Sequence, residues 1–353
     1  MKLLAISDTY IPADFMRDGL SGLRDLGIDV EVRHWGHDSL IDLQQDNLAI
    51  ETGGSGAVEL SETITQNLQP FDIVVVQFAP ISRSFIEKAK NLKLIGVLRG
   101  GAENIDVEYA TQREISVMNT PGRNARAVAE CTIGMILAEV RNIARSHASL
   151  KSNSWQRSFP NSEAIPELCG KTVGLIGYGA VGHLVAGYLN AFESRIIAYD
   201  PYFAGDPGPV KLVSLEHLMK NSDIISIHAR LTKESYHLIG EKELAMMKKN
   251  AVLVNTARSG LVDERALVRV LEEKMIAGAA LDVFDEEPLP ADHPFIRLEN
   301  TTITAHLTGS TIDSFRNSPK MMAGHLRNCL TGCKNIPIIN NIKSSLKAEQ
   351  GRQ

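Results

Sequence analysis

The sequence lacks the patterns that mark zinc-binding and nucleic-acid-binding proteins. It has four cysteines among 353 residues, and only Cys329 and Cys333 lie close together, without a second pair of Cys or His residues nearby. Because this is not a zinc-ligand spacing, we expect no metal site. Lysine and arginine number 37 against 42 aspartates and glutamates, for a net charge of −5, and this acidic balance argues against a nucleic-acid partner.

Long apolar runs and sequence repeats are missing as well. Only the four apolar residues 3–6 separate Met1-Lys2 from the polar Ser7-Asp8, which is too short for a secretory signal or a membrane span. We therefore expect a cytoplasmic protein without a membrane segment. A composition of 44% hydrophobic and 22% charged residues is typical of a globular chain, and its length predicts two domains.

Short apolar runs alternate with amphipathic segments along the chain, which indicates an α/β fold built on parallel sheets. Four runs in the first third predict buried strands at 2–6, 29–34, 71–76 and 92–97. A second series predicts strands at 172–176, 195–199, 223–228, 251–256, 278–283 and 301–304. The sequence thus predicts two doubly wound parallel-sheet units.

The segments between these strands also carry patterns. Residues 49–61 are rich in glycine and polar residues and predict a loop. Residues 125–149 have apolar side chains at helical spacing and predict one long helix that would bridge the two units. Residues 312–330 return to helical spacing, and the polar segment 341–353 predicts a loose tail.

A glycine motif follows the first strand of the second series. Gly177-Tyr178-Gly179-Ala180-Val181-Gly182 has the spacing G-x-G-x-x-G between that strand and a predicted helix at 181–192. Gly177 would permit the tight turn, Gly179 would let the backbone approach a pyrophosphate, and Gly182 would let the helix pack closely. The start of the helix would supply free N–H groups to the phosphates. The motif therefore predicts a dinucleotide site.

Asp200 ends the next predicted strand, at the spacing of about 20 residues typical of an acid that accepts hydrogen bonds from the adenosine ribose. A carboxylate at this position would repel the 2′-phosphate of NADP, and Pro201-Tyr202-Phe203 offers no Arg or Lys to receive it. The sequence thus favours NAD over NADP. The alternative, an aspartate that only caps a turn, does not explain this spacing.

Three later strands are each followed by one residue suited to hydroxy-acid chemistry, namely Arg258, Glu287 and His306. The carboxyl ends of parallel strands meet at one edge of a sheet, so these residues can be neighbours. Oxidation of a hydroxyl beside a carboxylate needs a base, a cation for the carboxylate and an acid that orients the base. His306, Arg258 and Glu287 fit these roles, and the Glu–His pair would favour a protonated imidazole.

These motifs, together with Asn-Thr-Pro-Gly at 119–122, Ala-Val-Ala-Glu at 127–130 and Tyr-Asp-Pro-Tyr at 199–202, resemble the D-isomer-specific 2-hydroxyacid dehydrogenase family. The likeness extends to about residue 340. It implies a Rossmann NAD domain at 126–308 inserted into a flavodoxin-like substrate domain at 1–125 and 309–353, with the catalytic cleft between them. It also implies a homodimer that acts on a small 2-hydroxy or 2-oxo acid.

The resemblance also implies the remaining site residues. The substrate would be held by Arg99, the backbone amides near Gly100 and Gly101, Arg258 and His306. The residues expected to contact the cofactor are Gly177, Tyr178, Gly179, Ala180, Val181, Gly182, Asp200, Pro201, Ala229, Arg230, Thr232, Thr256, Ala257, Arg258, Asp282, His306 and Thr308. Arg230 departs from the family, which commonly has proline there, and it would lie beside the adenine.

The substrate class depends on Arg99, Arg123 and Arg126, which could receive a phosphorylated or polyhydroxylated acid. They could equally be solvated or paired with neighbours such as Glu103 and Glu130. Residues 77–80 lack the arginines that phosphoglycerate dehydrogenases carry for phosphate, which argues against phosphoglycerate. We therefore predict a polar, sugar-derived 2-hydroxy acid, phosphorylated or not.

Two other functions remain to be weighed. The same fold and the same Arg–Glu–His set occur in transcriptional corepressors that sense NAD(H), so a binding protein of that class is the alternative to an enzyme. Formate dehydrogenase is disfavoured because hydride abstraction from formate needs no general base.

Overall fold

The computed structural model describes residues 1–162, 166–333 and 336–346. These residues form two units. Unit 1 consists of Met1–Arg123 and the described part of Thr311–Gln353, and unit 2 consists of the described part of Asn124–Ser310. The chain thus leaves unit 1 after Arg123 and returns to it at Thr311.

Unit 1 is built on five parallel strands. They are β1 (Lys2–Ser7), β2 (Asp29–His34), β3 (Ile73–Val76), β4 (Leu94–Val97) and β5 (Ser116–Asn119). Their order across the sheet is β2-β1-β3-β4-β5, which is the flavodoxin-like order. Every residue of β3 and β4 is buried, as expected where helices cover both faces of a parallel sheet.

Helices connect these strands and enclose two apolar clusters. They are α1 (Ala13–Leu20), α2 (Leu40–Gly53), α3 (Glu62–Thr65), α4 (Arg83–Lys88) and α5 (Val107–Gln112), with a 3-10 helix at Ser21–Leu26. Leu4 and Ile6 of β1 belong to one cluster, whereas Leu3 and Ala5 belong to the other. Alternate side chains of the strand therefore pack on opposite faces of the sheet.

Two details of unit 1 differ from the sequence-based expectation. The predicted loop at 49–61 is wrong in its first part, because α2 continues to Gly53. Ile50, in the last turn of α2, is buried in the core, and this burial outweighs the poor helix propensity of the following glycines. β5 has no counterpart among the predicted strands, because its short Ser-Val-Met-Asn sequence lacks a continuous apolar run.

Unit 2 is built on seven parallel strands. They are β6 (Thr172–Ile176), β7 (Arg195–Tyr199), β8 (Lys211–Leu212), β9 (Ile224–Ile227), β10 (Val252–Asn255), β11 (Gly278–Leu281) and β12 (Thr301–Ile303). The order across the sheet is β12-β11-β10-β9-β6-β7-β8. This is the Rossmann order with β12 added at one edge.

The helices of unit 2 include a correction to the predicted bridge helix. They are α6 (Ala125–Val140), α7 (Ile143–Lys151), α8 (Ala180–Ala191), α9 (Leu215–Asn221), α10 (Glu241–Leu244), α11 (Glu264–Glu272) and α12 (Pro294–Arg297). The single helix predicted at 125–149 is in fact two, α6 and α7, because Asn142 adopts a left-handed conformation with φ of 58°. Asparagine tolerates this region better than most residues.

The chain returns to unit 1 through α13 (Ile312–Leu330), at the predicted position. Gly19 of α1 allows close packing on α13, because a Cβ at this position would lie 2.5 Å from Pro319 Cβ. Residues 347–353 of the predicted tail lie outside the described residues. Of the remainder, Leu346 is buried in the core of unit 1, so this part of the segment is not loose.

Both parallel sheets and their strand orders confirm the predicted fold class. Among the described residues, no helix combines the length and the apolar character needed to cross a membrane.

Candidate active site

The residues predicted to form the site of unit 2 lie at one edge of its sheet. Because the strands are parallel, the residues that follow them converge at their carboxyl ends. Gly177 follows β6, Asp200 follows β7, His228 follows β9, Thr256 follows β10, Asp282 follows β11, and His306 lies in a turn after β12.

The glycine loop has the geometry that its sequence requires. Gly177 has φ of +93°, and a Cβ on it would lie 2.5 Å from the Ala229 nitrogen. A Cβ on Gly182 would collide with the Gly177 carbonyl oxygen, so the first turn of α8 packs directly on the loop. Gly179 faces open space, with nothing within 4 Å of the place where its Cβ would be.

The side chain of Tyr178, in the same loop, makes contacts within the protein. The Tyr178 hydroxyl donates to the Pro207 carbonyl oxygen at 3.3 Å, and the Tyr178 ring stacks on His183 at 3.9 Å between centroids. The Tyr178 side chain is therefore part of the core. Ala180 and Val181 begin α8, where N–H groups have no acceptor within the helix.

Asp200 is held in place by two backbone groups. Its Oδ2 accepts the Tyr178 N–H at 2.8 Å and its Oδ1 accepts the Tyr202 N–H at 2.9 Å. The turn-capping role is thus real. Each carboxylate oxygen can accept a second hydrogen bond, so capacity for a ligand hydroxyl remains.

The loop after β9 is stabilised by a serine. Ser235 Oγ donates to the Arg230 carbonyl oxygen at 2.7 Å and accepts the Thr232 N–H at 2.8 Å. The Arg230 side chain is exposed and makes no ion pair with any described residue. Its guanidinium therefore remains available to solvent or to a ligand.

His228, at the end of β9, is neutral. Its Nε2 lies 3.0 Å from Ser226 Oγ, and its Nδ1 is buried without a partner. Burial of the ring lowers the pKa of His228 to about 3. An imidazole that cannot take up a proton near neutral pH is unsuited to act as a second base.

The segment after β10 carries Arg258 on an ordered backbone. Thr256 Oγ1 lies 2.8 Å from Thr132 Oγ1 of α6, and the Ala257 N–H donates to Asn255 Oδ1 at 3.0 Å. The exposed Arg258 donates from Nη1 to the Ala257 carbonyl oxygen at 2.7 Å. It makes no ion pair within the described chain, so most of its donors remain free.

Glu287 and His306 are brought together as a pair. His306 Nδ1 lies 2.7 Å from Glu287 Oε2, while Glu287 Oε1 accepts the Phe284 N–H at 3.0 Å. The side chain of His306 is 48% exposed and that of Glu287 is 35% exposed. Nε2 of His306 has no protein partner in the described part of the chain. Glu287 thus fixes Nδ1 of the His306 ring, and Nε2 remains available to a ligand.

Asp282, which the sequence predicts to contact the cofactor, also has a structural role. Its carboxylate is fully buried and accepts hydrogen bonds from Thr304 Oγ1, the Leu307 N–H, the Thr308 N–H and Thr308 Oγ1. These four bonds use the whole acceptor capacity of a carboxylate. Asp282 therefore fixes the turn that carries His306, a residue with φ of +48°. No sequence motif marks this role.

Sequence reasoning also missed a second pair next to Glu287. Glu264 Oε1 lies 3.1 Å from His293 Nε2, and Glu264 Oε2 accepts the Asp285 N–H at 3.0 Å. Glu264 thereby supports the loop from which Glu287 projects. The two residues are far apart in sequence, so only the fold reveals the pair.

The substrate residues predicted in unit 1 lie after β4. Arg99 donates from Nη2 to Glu51 at 2.9 Å and pairs with Glu103 at 3.1 Å, so its charge is neutralised, as the alternative interpretation expected. The Gly100 carbonyl oxygen accepts a hydrogen bond from Asn119 Nδ2 at 2.6 Å. A Cβ on Gly101 would collide with the Glu103 carboxylate.

Comparison with known proteins identifies the family. The family described as D-isomer specific 2-hydroxyacid dehydrogenase, NAD binding domain, matches residues 133–308. The chain is 39% identical over 277 residues to a glyoxylate reductase of Thermofilum pendens, an alignment that covers 77% of this chain and 82% of that protein. The chain belongs to the D-isomer specific 2-hydroxyacid dehydrogenase family.

Two further relatives illustrate the range of this dehydrogenase family. A D-3-phosphoglycerate dehydrogenase of Methanocaldococcus jannaschii is 41% identical over 288 residues, which is 80% of this chain and 54% of that protein. The chain thus spans about half the length of that relative. The structure of a D-lactate dehydrogenase with NAD+ from Lactobacillus jensenii matches with a TM-score of 0.74 and 25% identity, covering 96% of this chain and 99% of that one.

The residues of this family member fit NAD, which confirms the predicted cofactor. Gly179 leaves open space beside the start of α8, and Asp200 has capacity for a ribose hydroxyl. The turn at Pro201-Tyr202 carries no cation for a 2′-phosphate. For metals, the described residues contain no group of three His, Cys, Asp or Glu side chains that could hold an ion.

Proposed function

We propose that the protein is an NAD-dependent oxidoreductase that transfers a hydride between C2 of a polar 2-hydroxy acid and the cofactor, with His306 as the acid/base. The observation that carries this proposal is the 2.7 Å contact between His306 Nδ1 and Glu287 Oε2 at the carboxyl edge of the sheet of unit 2. Bound NAD would supply the hydride acceptor at its nicotinamide ring.

The orientation of His306 supports one ring atom, Nε2, as the one that carries the proton. Nδ1 is held by Glu287, so Nε2 is the atom that takes the hydroxyl proton during oxidation and returns it during reduction. The carboxylate of Glu287 stabilises the imidazolium that forms. Asp282 fixes the turn beneath His306, so the ring does not have to be reoriented before proton transfer.

Arg258 is the residue proposed to bind the substrate carboxylate from unit 2. Its guanidinium is exposed and without an ion-pair partner in the described chain, and the planar fork of donors matches a carboxylate. From unit 1, the backbone amides near Gly100 and Gly101 are proposed to bind the same group, with Arg99 beside them. Unit 1 would then be the substrate domain.

We propose a polar, sugar-derived acid as substrate, phosphorylated or not. The relatives named as glyoxylate reductase and D-3-phosphoglycerate dehydrogenase span both small plain acids and phosphorylated ones, which supports the class of reaction more than one substrate. Arg123 of unit 1, which makes no ion pair with a described residue, supports a substrate at the polar end of this range.

A histidine variant tests the proposal directly. His306→Asn removes the base but tolerates the positive φ of this position. We expect NADH-dependent reduction of 2-oxo acids to fall by at least about a hundredfold, with little change in NADH affinity measured by fluorescence titration. His237→Asn is the matched control, because His237 also has a positive φ of 52° and lies 4.0 Å from a carboxylate, Asp263.

The outcomes separate the enzyme from the alternative binding protein. Equal activity of wild type and His306→Asn would remove His306 from the mechanism. Tight NADH binding without turnover on any 2-oxo acid, together with NADH-dependent capture of a protein partner, would favour the NAD(H)-sensing corepressor-like function.

We further propose that the protein is a cytoplasmic homodimer. The dimer is supported by the family resemblance. Light scattering on the purified chain should give about twice the mass of 38.6 kDa, and a monomer mass at micromolar concentration would contradict it.

A further inference from the structure

Unit 1 has a ligand-binding position of its own. In the strand order β2-β1-β3-β4-β5, the chain runs from β1 to β2 on one side and then crosses to β3 on the other. Ligands of open α/β sheets bind at such a switch point, beyond the carboxyl ends of the two central strands. Here those ends carry Asp8 after β1 and Gln77 after β3, on strands paired with Ile6 opposite Val76.

The switch point contains buried polar atoms without partners. Asp8 Oδ1 accepts the N–H groups of Tyr10 and Ile11 at 2.9 and 2.8 Å, but its buried Oδ2 has no hydrogen-bond partner among the described residues. Within the same part of the chain, both polar atoms of the Gln77 side chain are also buried without a partner. Burial raises the pKa of Asp8 to about 6, and nearby backbone N–H groups only partly offset this effect.

Buried polar atoms are satisfied in nearly all native proteins, so unpartnered ones call for an explanation. At the switch point, Asp8 Oδ2 and Gln77 Oε1 can each accept a hydrogen bond, and Gln77 Nε2 can donate. This set matches the hydroxyl groups of a polyhydroxylated chain. Neither residue takes part in the site described for unit 2.

A cation without an ion-pair partner among the described residues lies on the same side of unit 1. Arg123 follows β5, and its guanidinium stacks over Phe315 with 5.3 Å between its central carbon and the ring centroid. Its one hydrogen bond is a long contact of 3.5 Å with Ser318 Oγ, and no described carboxylate lies within ion-pair distance. Burial, and then the charge of Arg99, lower the pKa of Arg123 to about 10, and the charge of the Asp8 carboxylate partly offsets this effect.

Aromatic rings connect Arg123 to the switch point. Phe315 lies 4.8 Å from Tyr10, which in turn lies 5.9 Å from Phe78, the residue after Gln77. Arg99 stacks on Phe78 at 5.1 Å, but Glu51 and Glu103 neutralise it. Within the described chain, Arg123 is thus the arginine of this cluster without a carboxylate at ion-pair distance, and a partly buried cation of this kind is stabilised by an anion.

We propose that Asp8, Gln77 and Arg123 form a subsite for the distal part of the substrate, in which Arg123 binds a second anionic group and Asp8 and Gln77 bind hydroxyl groups. The substrate would then be a polyhydroxylated 2-hydroxy acid with a phosphate or carboxylate at the end far from C2. The inference rests on the proposed function for its assignment to the substrate, but the anion site itself does not.

Binding of inorganic phosphate tests the anion site without any turnover. With NADH bound, so that the cofactor occupies the phosphate-binding loop before α8, isothermal titration of the full chain with phosphate should show a site that weakens by about tenfold or more in Arg123→Gln. Arg83→Gln is the matched control, because Arg83 also stacks on an aromatic ring, Tyr109, at 4.5 Å, yet pairs with Glu87. Arg123→Lys keeps the charge and should bind phosphate more weakly than wild type but better than Arg123→Gln.

Matched acids test the link to the substrate. With NADH, 2-oxoglutarate should have a KM about tenfold or more below that of 2-oxopentanoate, which has the same chain length without the second carboxylate. Arg123→Gln should raise the KM for 2-oxoglutarate far more than that for 2-oxopentanoate, so that the difference between the two acids is lost. In the same way, Asp8→Asn and Gln77→Leu should raise the KM for 2-oxogluconate relative to that for 2-oxohexanoate.

The outcomes distinguish failure of the proposed subsite from failure of the proposed function. Phosphate binding that depends on Arg123, without turnover of any acid, would keep the anion site and remove the proposed function. Turnover without any preference for the second anion or the hydroxyls, and unaltered phosphate binding in Arg123→Gln, would overturn the subsite and keep the function.

Discussion

The contact between Glu287 and His306 makes the contribution of the carboxylate measurable. Glu287→Gln removes the negative charge but keeps the size of the side chain and an oxygen that can accept the Phe284 N–H. Opposite charges 4 Å apart interact by about 1 kcal/mol in water and about 4 kcal/mol near a protein surface. Glu287 is 35% exposed and His306 is 48% exposed, so solvent screens the pair. We therefore expect their interaction energy to lie near the lower of these two values.

We therefore expect Glu287 to stabilise the imidazolium by about 1.5 kcal/mol, which corresponds to about a tenfold loss of kcat/KM in Glu287→Gln. The assay is steady-state oxidation of NADH with a 2-oxo acid, with NADH affinity measured separately. Glu286→Gln is the matched control, because Glu286 is the exposed neighbour of Glu287. Equal losses in the two variants, or an unchanged kcat/KM in Glu287→Gln, would refute the reasoning.

Three further predictions concern the cofactor loop and acid stability. Gly177→Ala should lower the melting temperature, since its Cβ would meet the Ala229 nitrogen at a φ of +93°, whereas Gly179→Ala should fold normally and lose NADH affinity in a fluorescence titration. Asp200→Ala should raise the KM for NAD and reduce discrimination against NADP; unchanged discrimination would leave Asp200 with only its turn-capping role. The pKa of about 3 for His228, against 6.5 in the unfolded chain, means that only the unfolded chain takes up this proton as the pH falls. The free energy of unfolding should thus decrease by about 2 kcal/mol between pH 6.5 and 5 in urea titrations, and His228→Gln should lack this part of the slope.

The sequence predicts those parts of the fold that depend on local patterns. The strands with continuous apolar runs, such as β3 and β10, lie within the predicted ranges, because full burial in a parallel sheet leaves a simple signal. The glycine motif is equally local. By contrast, the break between α6 and α7 depends on the left-handed conformation of a single asparagine, Asn142, inside a helical pattern.

The parts of the candidate site that sequence reasoning missed depend on distant contacts. Asp282 accepts bonds from a turn 22 to 26 residues away, and its burial follows from the fold of that turn. Glu51 neutralises Arg99 from 48 residues away. Such contacts leave no periodic pattern in the chain, so only the three-dimensional structure separates Arg99, which is paired, from Arg123, which makes no ion pair with a described residue.

Transfer of deuterium from the cofactor tests the central claim most directly. The protein would be incubated with NADH deuterated at both C4 positions and a panel of 2-oxo acids, and the products would be analysed by mass spectrometry and chiral chromatography. The account predicts a D-2-hydroxy acid with one deuterium at C2, in an amount equal to the NADH oxidised. The absence of deuterated hydroxy acid from every substrate of the panel, with the protein folded and bound to NADH, would contradict it.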